Sequence, residues 1–380
     1  MNKKVGLLLT RSVLFPSMAF DLLGGMRAGM EDGGITDAEI KTESIGLGAD
    51  DKMIYTACEQ LLINGATVVA GYLNPASAEK LEPLFASANA ILIALDAGYH
   101  VPTSLTKLPH VFYVSLQGML CIRAAVAKAI ASGKNSFAYT SSFYDSGYRS
   151  TFAAHKGIAD GAGSVTYNLF TPLKRAELTL QPLTEHLDEV TPDAIFAAFC
   201  GDMLEDYFAA AAAGDVFKGR AVYGSSFVGE EQWLAKSTYP GADVQVCVPW
   251  STALVTPANK HFMSVLTRKN TNINIYSLLG WEAGQVAAKA LSSADALHDL
   301  EGYSFSSPRG EVTLDAATHQ CHAPVYDAVV KLNEATGKCL LEVQGESAYT
   351  AAQREKLETD INNMSGPMTS WVNAYGCLDS

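Results

Sequence analysis

Basic residues are scarce in this chain. The 380 residues hold 27 Lys and Arg against 40 Asp and Glu, a formal net charge of −13, and no segment concentrates the positive charge. Phosphate backbones are repelled by such a surface, so nucleic acid is not an expected partner. Long apolar runs are also missing. None approaches the ~18 residues of a membrane-spanning helix, and the richest, Phe208 to Ala213, is mostly alanine and stops at Gly214. Direct membrane insertion is therefore not expected. The seven cysteines (Cys58, Cys121, Cys200, Cys247, Cys321, Cys339, Cys377) contain no C-x-x-C pair, which removes the usual zinc spacing. Scattered and odd in number, they describe no disulfide scaffold, though one bridge among the three in the C-terminal part is open.

Signatures of catalysis and cofactor binding are missing as well. Gly224-Ser225-Ser226-Phe227-Val228-Gly229 misses the G-x-S-x-G elbow by one residue. Gly46-Leu47-Gly48 lacks the third glycine of a dinucleotide fingerprint. Cys200 has no His with an orienting acid that sequence alone pairs with it. His319, Cys321 and His322 raise a metal site, but strand alternation sets His322 opposite the other two. Neither enzyme activity, nor a cofactor, nor a metal is expected.

What the chain does contain is apolar surface: 48% hydrophobic against 18% charged residues, enough to bury more than one core, and at this length two domains are expected. Short apolar strands alternate with amphipathic helices. Val5–Thr10 precedes a helix over Ser17–Met30, Ile40–Ile45 one over Asp51–Leu62, and Val68–Ala70 one over Ala76–Ala86; Ile91–Leu95, Val111–Val114 and a helix over Met119–Ser132 follow. The pattern then restarts with strands at Phe137–Thr140, Val165–Leu169, Ala194–Cys200, Ala221–Gly224 and Val244–Val248. Helices near Ser150–Ala162, Leu178–Leu187 and Met203–Ala213 separate them. Such alternation predicts an α/β protein with mainly parallel sheets covered on both faces. Beyond Trp250 come helices over Pro257–Thr267 and Ile275–Leu291, strand-like pieces at Glu311–Leu314 and Val325–Leu332, and a polar, partly helical tail from Ala348 broken at Gly366-Pro367.

Ligands of open α/β sheets bind outside the carboxyl ends of the strands. The stretch VVAGYLNPASAEKLEP, Val68 to Pro83, is such an exit. Asn74 suits the cap of the next helix and Pro75 its first position, leaving the amides of Ala76 and Ser77 for an anion or a cap.

Several segments resemble the type I solute-binding proteins, the branched-chain amino acid and amide receptor family of ABC transporters. Phe15 to Met30, ending in Gly33-Gly34-Ile35, is similar to that family's opening helix; Val69-Ala70-Gly71 through Ser77 to its first binding loop; Tyr139 to Gly147 to its first exit loop in lobe two. Pro192-Asp193-Ala194-Ile195-Phe196, Gly280-Trp281-Glu282-Ala283-Gly284 and Ser307-Pro308-Arg309-Gly310-Glu311-Val312 follow in family order. The resemblance rests on this collinearity over nearly the whole chain.

The resemblance implies two doubly wound Rossmann-like lobes joined by a three-crossing hinge near Ser115–Met119, Pro249–Ser251 and Gln320–Ala323. Lobe one is residues 1–117 plus 251–321; lobe two is 118–250 plus 322–380 with a tail longer than the family usually carries. It further implies a receptor in the periplasm that holds a small polar ligand, an amino acid or related carboxylate or amide, in an interlobe cleft and delivers it to a membrane permease. The basic, apolar start Met1 to Arg11 imitates a secretion signal but is too short and lacks a cleavage site. A signal removed before this numbering and a cytoplasmic ligand sensor thus both remain open, as does, from another class, an α/β enzyme using the same cleft.

Expected ligand-binding residues sit at the strand exits. Arg11 suits a carboxylate bidentately and Ser12 follows it; Tyr72, Asn74 and Ser77 offer a phenol, an amide and a hydroxyl. Asp96, followed by Ala97, Gly98 and Tyr99, suits an ammonium or hydroxyls, or else forms an Asx turn, or pairs with Arg11. His100 is left unassigned. In lobe two the expected residues are Tyr144, Ser146, Phe199, Cys200, Ser225, Ser226 and Trp250, aromatic walls with a few polar groups.

Overall fold

The structure, a computed structural model, describes residues 3–102, 105–364 and 371. In chain order it runs β1 (Lys4–Leu9), α1 (Met18–Asp32), β2 (Glu39–Ser44), α2 (Asp51–Ile63), β3 (Val68–Tyr72), α3 (Pro75–Ala88), β4 (Ile91–Asp96) and β5 (Val111–Ser115). Then come α4 (Gly118–Ala131), β6 (Ser136–Ser141), α5 (Ser150–Asp160), β7 (Ser164–Phe170), α6 (Gln181–Val190), β8 (Ala194–Ala198), α7 (Gly201–Ala213), β9 (Ala221–Gly224), α8 (Glu231–Leu234) and β10 (Val244–Val248). The remainder is α9 (Pro257–Arg268), α10 (Ile275–Ser292), α11 (Ala296–Leu300), β11 (Ser304–Ser307), β12 (Gly310–Leu314), β13 (Cys321–His322), β14 (Tyr326–Asn333), β15 (Lys338–Glu346) and α12 (Thr350–Asn362).

Two compact units divide these elements: Met1–Leu116 with Leu254–Ala323, and Gln117–Ala253 with Pro324–Asn363. In unit 1 five parallel strands lie in the order β2-β1-β3-β4-β5. Residues such as Leu7, Leu8, Val69 and Leu92 have no exposed surface, because helices cover both faces and a parallel strand must then be apolar throughout. β2, at the edge, reads EIKTES and stays largely exposed.

Helices α1 and α10 approach until their backbones touch. A Cβ on Gly29 would stand 2.1 Å from the Trp281 carbonyl oxygen, and one on Gly280 only 2.2 Å from that of Leu22. Gly25 and Gly284 complete a small-x-x-x-small pattern on each helix, so the motif Gly280 to Gly284 is a packing device.

Unit 2 repeats the topology. Its parallel strands lie in the order β7-β6-β8-β9-β10, and β14 and β15 extend the sheet antiparallel beyond β10. The tail contributes α12, fixed by Arg123 on α4. That fully buried guanidinium donates to Asp360 at 2.7 Å and to Gln353 at 3.1 Å, both on α12, and pairs with Asp160 on α5.

Several elements differ from the sequence expectation. β8 ends at Ala198 rather than Cys200, because Gly201 turns the chain at φ +62° to start α7. β13 is only two residues long and His319 stands outside it at φ +58°, so strand alternation does not govern His319, Cys321 and His322. β11 and β15 emerge from segments too polar to announce themselves, while α12 falls in the tail expected to be partly helical. Gly366-Pro367 and Cys377 lie outside the described residues. No described helix is long and apolar enough to cross a membrane.

Candidate functional site

In an order of 2-1-3-4-5 the winding reverses between the first and third strands, and the crevice outside their carboxyl ends is where such sheets take ligands. In unit 1 this point lies between β1 and β3. Thr10, just past β1, donates to the Tyr72 carbonyl at 2.8 Å and ties the two exits together. Ser12 Oγ accepts from the Phe15 N–H at 3.0 Å, forming a turn that leaves Arg11 exposed while its N–H is held by Gly46. Tyr72 is only 1% exposed and packs edge-on against Tyr276 at 5.8 Å.

Asn74 caps α3 as its position demands: Oδ1 accepts from the Ala76 N–H at 2.9 Å, and Nδ2 lies 3.3 Å from His100 Nδ1. The Ser77 amide donates to the Asn74 carbonyl at 3.0 Å. The amides of Ala76 and Ser77 are thus both taken by Asn74, and of the two uses open to them the structure shows the cap. Ser77 Oγ donates to Asp51 at 2.7 Å, which joins α3 to the start of α2.

Asp96 ends β4 in an Asx turn, accepting from the Gly98 N–H at 2.9 Å and bonding with Ser115. Although the residue keeps some surface, desolvation of its carboxyl pushes the pKa up to about 6, against the lowering effect of Ser115, Gly98 and Arg309. Among these, Arg309 is the cation whose charge lowers it. Arg309 and Glu282 form a fully buried bidentate pair at 2.7 and 2.8 Å. Arg309 also donates to the Ser115 carbonyl at 2.9 Å, and Ser307 donates to Glu282. Burial opposes the charge on Arg309, but Glu282 outweighs it and holds the guanidinium protonated. The signal for this pair was a lone Glu inside an otherwise apolar helix, which cannot be buried without a cation. Ala97, Gly98 and Tyr99 follow Asp96 and are buried.

The corresponding point in unit 2 lies between β6 and β8. Ser142 Oγ donates to Asp145 Oδ2 at 2.5 Å and accepts from the Asp145 N–H at 2.8 Å, so the exit of β6 closes on itself. Ser146 Oγ donates to the Phe143 carbonyl at 2.7 Å and is engaged in the same loop. Tyr144 is half-buried and meets the exposed Phe143 edge-on at 5.7 Å.

Phe199 is buried, stacked on Tyr207 at 3.9 Å, and Tyr207 Oη lies 2.8 Å from Thr140 Oγ1. Cys200 is disulfide-bonded and so offers no thiol. Ser225, Ser226 and Trp250 are buried; the Ser225 N–H donates to Ala197 at 2.9 Å.

Two acids that sequence reasoning missed follow them. Glu230 caps α8, accepting from the Trp233 N–H at 3.1 Å, and burial pushes its carboxyl up to about 7. Glu231 accepts from the Thr252 N–H and Oγ1 at 2.9 and 2.7 Å and anchors the segment leaving β10. A groove lined by Asp160, Glu355, Lys356 and Asp360 lies at the far end of this unit, where Arg123 and Lys156 already engage both aspartates.

Comparison with known proteins identifies the architecture. The model of the periplasmic binding protein family matches residues 3–338, and the chain belongs to that family. Its two parallel-sheet units give it the type I form. Among solved structures it is similar to an ABC transporter substrate-binding protein from Sphaerobacter thermophilus (TM-score 0.77, 15% identity, 91% of this chain and 99% of that one). It is also similar to a solute-binding protein from R. palustris in complex with 4-hydroxybenzoate (TM-score 0.74, 18% identity, 91% and 97%). A third is an ABC-type branched-chain amino acid transporter from Rhodopseudomonas palustris CGA009 (TM-score 0.69, 17% identity, 97% and 99%). A comparison with curated proteins finds no match.

Proposed function

We propose that this protein is the substrate-binding component of an ABC importer, working outside the cytoplasm, which captures a small carboxylate-bearing solute and passes it to a membrane permease without altering it chemically. The observation that carries the reading is the duplicated switch point: each unit of a periplasmic binding protein gathers polar and aromatic side chains outside the ends of its first and third parallel strands. A carboxylate is common to the 4-hydroxybenzoate of one similar structure and the amino acids named for another. Arg11 is the exposed cation at the β1 exit suited to such a group. Tyr72, Asn74, Ser77, Asp96 to Tyr99, Tyr144, Ser146, Phe199 to Cys200, Ser225, Ser226 and Trp250 are proposed as its surroundings. The disulfide at Cys200 favours an oxidising compartment.

The test is a thermal-shift screen of amino acids, benzoates and short aliphatic acids, followed by calorimetry. A true ligand at about 100 times its Kd adds ~2.7 kcal/mol of stability. Arg11→Met is expected to weaken a carboxylate ligand by roughly 10-fold or more, a charge-assisted bond being worth ~1.5–3 kcal/mol, without lowering the unliganded Tm. Tyr144→Ala is expected to weaken it too. Affinity unchanged in both variants, or turnover of the bound compound, overturns the reading.

A further inference from the structure

In unit 2 β7 ends at Phe170 and α6 begins at Gln181, so ten residues, Thr171 to Leu180, connect them; strand-to-helix connections commonly need about two to six. Both ends of this segment are buried, while its middle, Leu173 to Glu177, is exposed. At its root the Thr171 N–H donates to the Ser141 carbonyl at 3.0 Å, beside the exit of β6. The middle is held by one side chain. Arg175 donates from Nε and Nη2 to the two carboxylate oxygens of Asp206 at 2.6 and 2.8 Å, and from Nη1 to Asp202 at 2.8 Å. Both aspartates stand on α7, which begins just past β8. Among the described residues no other hydrogen bond or ion pair ties the exposed middle to another element, since Lys174 pairs only with Glu177 inside the segment. The connection thus leaves β7, touches the exit of β6 and fastens beside the exit of β8, the two strands that flank the switch point of this unit.

We propose that Thr171–Leu180 is a strap beside the β6 exit, hinged at its buried ends and latched by Arg175 onto α7, and that it opens when the charge of the latch is screened or removed. Two opposing features poise it. Asp202 and Asp206 are four residues apart on one helix, where like charges repel, and the planar fork of Arg175 relieves that repulsion by bridging them. Against the latch stands Thr171, whose Oγ1 is buried and finds no hydrogen-bond partner among the described residues. An unsatisfied buried hydroxyl carries a desolvation cost, and opening relieves it by admitting water.

Salt reaches this latch. Arg175 keeps 48% of its side-chain surface, Asp202 28% and Asp206 30%, unlike the wholly enclosed Arg309–Glu282 pair. The screening length falls from about 10 Å at 0.1 M salt to about 3 Å at 1 M, so an exposed pair weakens while an enclosed one does not. Opening frees the Ser141 carbonyl and the Thr171 hydroxyl at the carboxyl edge of the sheet and carries the exposed Leu173 away with the strap. The latch belongs to unit 2 alone and stands whether or not the ligand is a carboxylate.

The experiment digests the full chain with trypsin in about 0.1 M and about 1 M NaCl, with the protease rate at each salt normalised to a small chromogenic substrate. First cuts are mapped by mass spectrometry, and amide exchange is followed in parallel. Cleavage after Lys174 or Arg175 tracks the open population. The expected result is cleavage in the strap roughly 5-fold faster or more at high salt, with Thr171 losing amide protection while the interior of β6 keeps it. The double variant Asp202→Asn/Asp206→Asn retains both cleavage sites and should be cut at the faster rate already at low salt, with no further gain and little change in Tm. Arg175→Gln, cut after Lys174, should match it. A wild-type rate indifferent to salt, first cuts scattered outside the strap, or variants as resistant as the wild type at low salt each overturn the proposal; the wild-type salt series decides it even where a variant folds poorly.

Discussion

The two units share one strand order and stabilise it by opposite means. Unit 1 brings backbone against backbone: four glycines let α1 and α10 touch along their length. Unit 2 uses side chains. Its α4–α5 contact leaves ordinary space at Gly157, where a Cβ would meet Val126 at 3.4 Å, and its helices converge on the buried Arg123. The difference teaches that a doubly wound topology specifies only which faces are apolar; how close the covering layer comes is a local choice.

Added volume has opposite consequences in the two units. Gly29→Val drives a β-branched side chain into a carbonyl 2.1 Å from its Cβ position, and is expected to unfold unit 1 at a cost beyond ~5 kcal/mol. Gly157→Ala is expected to be neutral or to stabilise by up to ~1 kcal/mol, since alanine is the better helix former and the space exists. Urea denaturation of the two variants checks this, and equal destabilisation would erase the contrast.

A second difference lies in the buried cations. The Arg309–Glu282 pair is wholly enclosed, whereas the partners of Arg123 keep 20% and 13% of their side-chain surface. Removing Arg309 strands an unpaired carboxylate in a dry site, so Arg309→Met is expected to cost ~3–5 kcal/mol. Arg123→Met leaves Asp160 and Asp360 able to reach water and is expected to cost less. A reversed order in the two unfolding midpoints would refute the part assigned to desolvation.

Much of this architecture is legible in the sequence for a physical reason: a strand buried on both faces must be apolar throughout, and runs such as Ile91 to Leu95 or Ala194 to Ala198 have few other uses. Asn74 and Pro75 spelled out a helix start, and Asn74 caps it. What sequence did not disclose is pairing at a distance. Nothing near Asp96 points to Arg309 more than two hundred residues later, and nothing near Ser77 points to Asp51, to which its hydroxyl donates. β15 stayed hidden because its buried positions are few among exposed ones. Strand exits are visible in sequence, whereas the commitments of their side chains are tertiary facts.

A third difference concerns pH, and it separates the units by window. Burial raises Glu230 in unit 2 from 4.5 to about 7 and Asp96 in unit 1 from 3.8 to about 6. A folded-state pKa above the unfolded value means that the folded state holds its proton more tightly. The stability contributed is complete below the unfolded pKa and is lost as pH rises through the folded one. Between pH 4 and 6 both groups erode stability; between pH 6 and 7 Glu230 acts nearly alone. Its whole contribution is on the order of 3 kcal/mol. Glu230→Gln, which keeps a carbonyl oxygen for the Trp233 N–H, is expected to flatten the stability profile between pH 6 and 7, and Asp96→Asn to flatten it only below pH 6. Urea midpoints measured at half-unit intervals from pH 4 to 8 read both windows. A wild-type profile that climbs across pH 6 to 7, or a Glu230→Gln profile of unaltered slope there, would mean that the carboxyl is ionised in the folded protein and that water reaches the α8 cap.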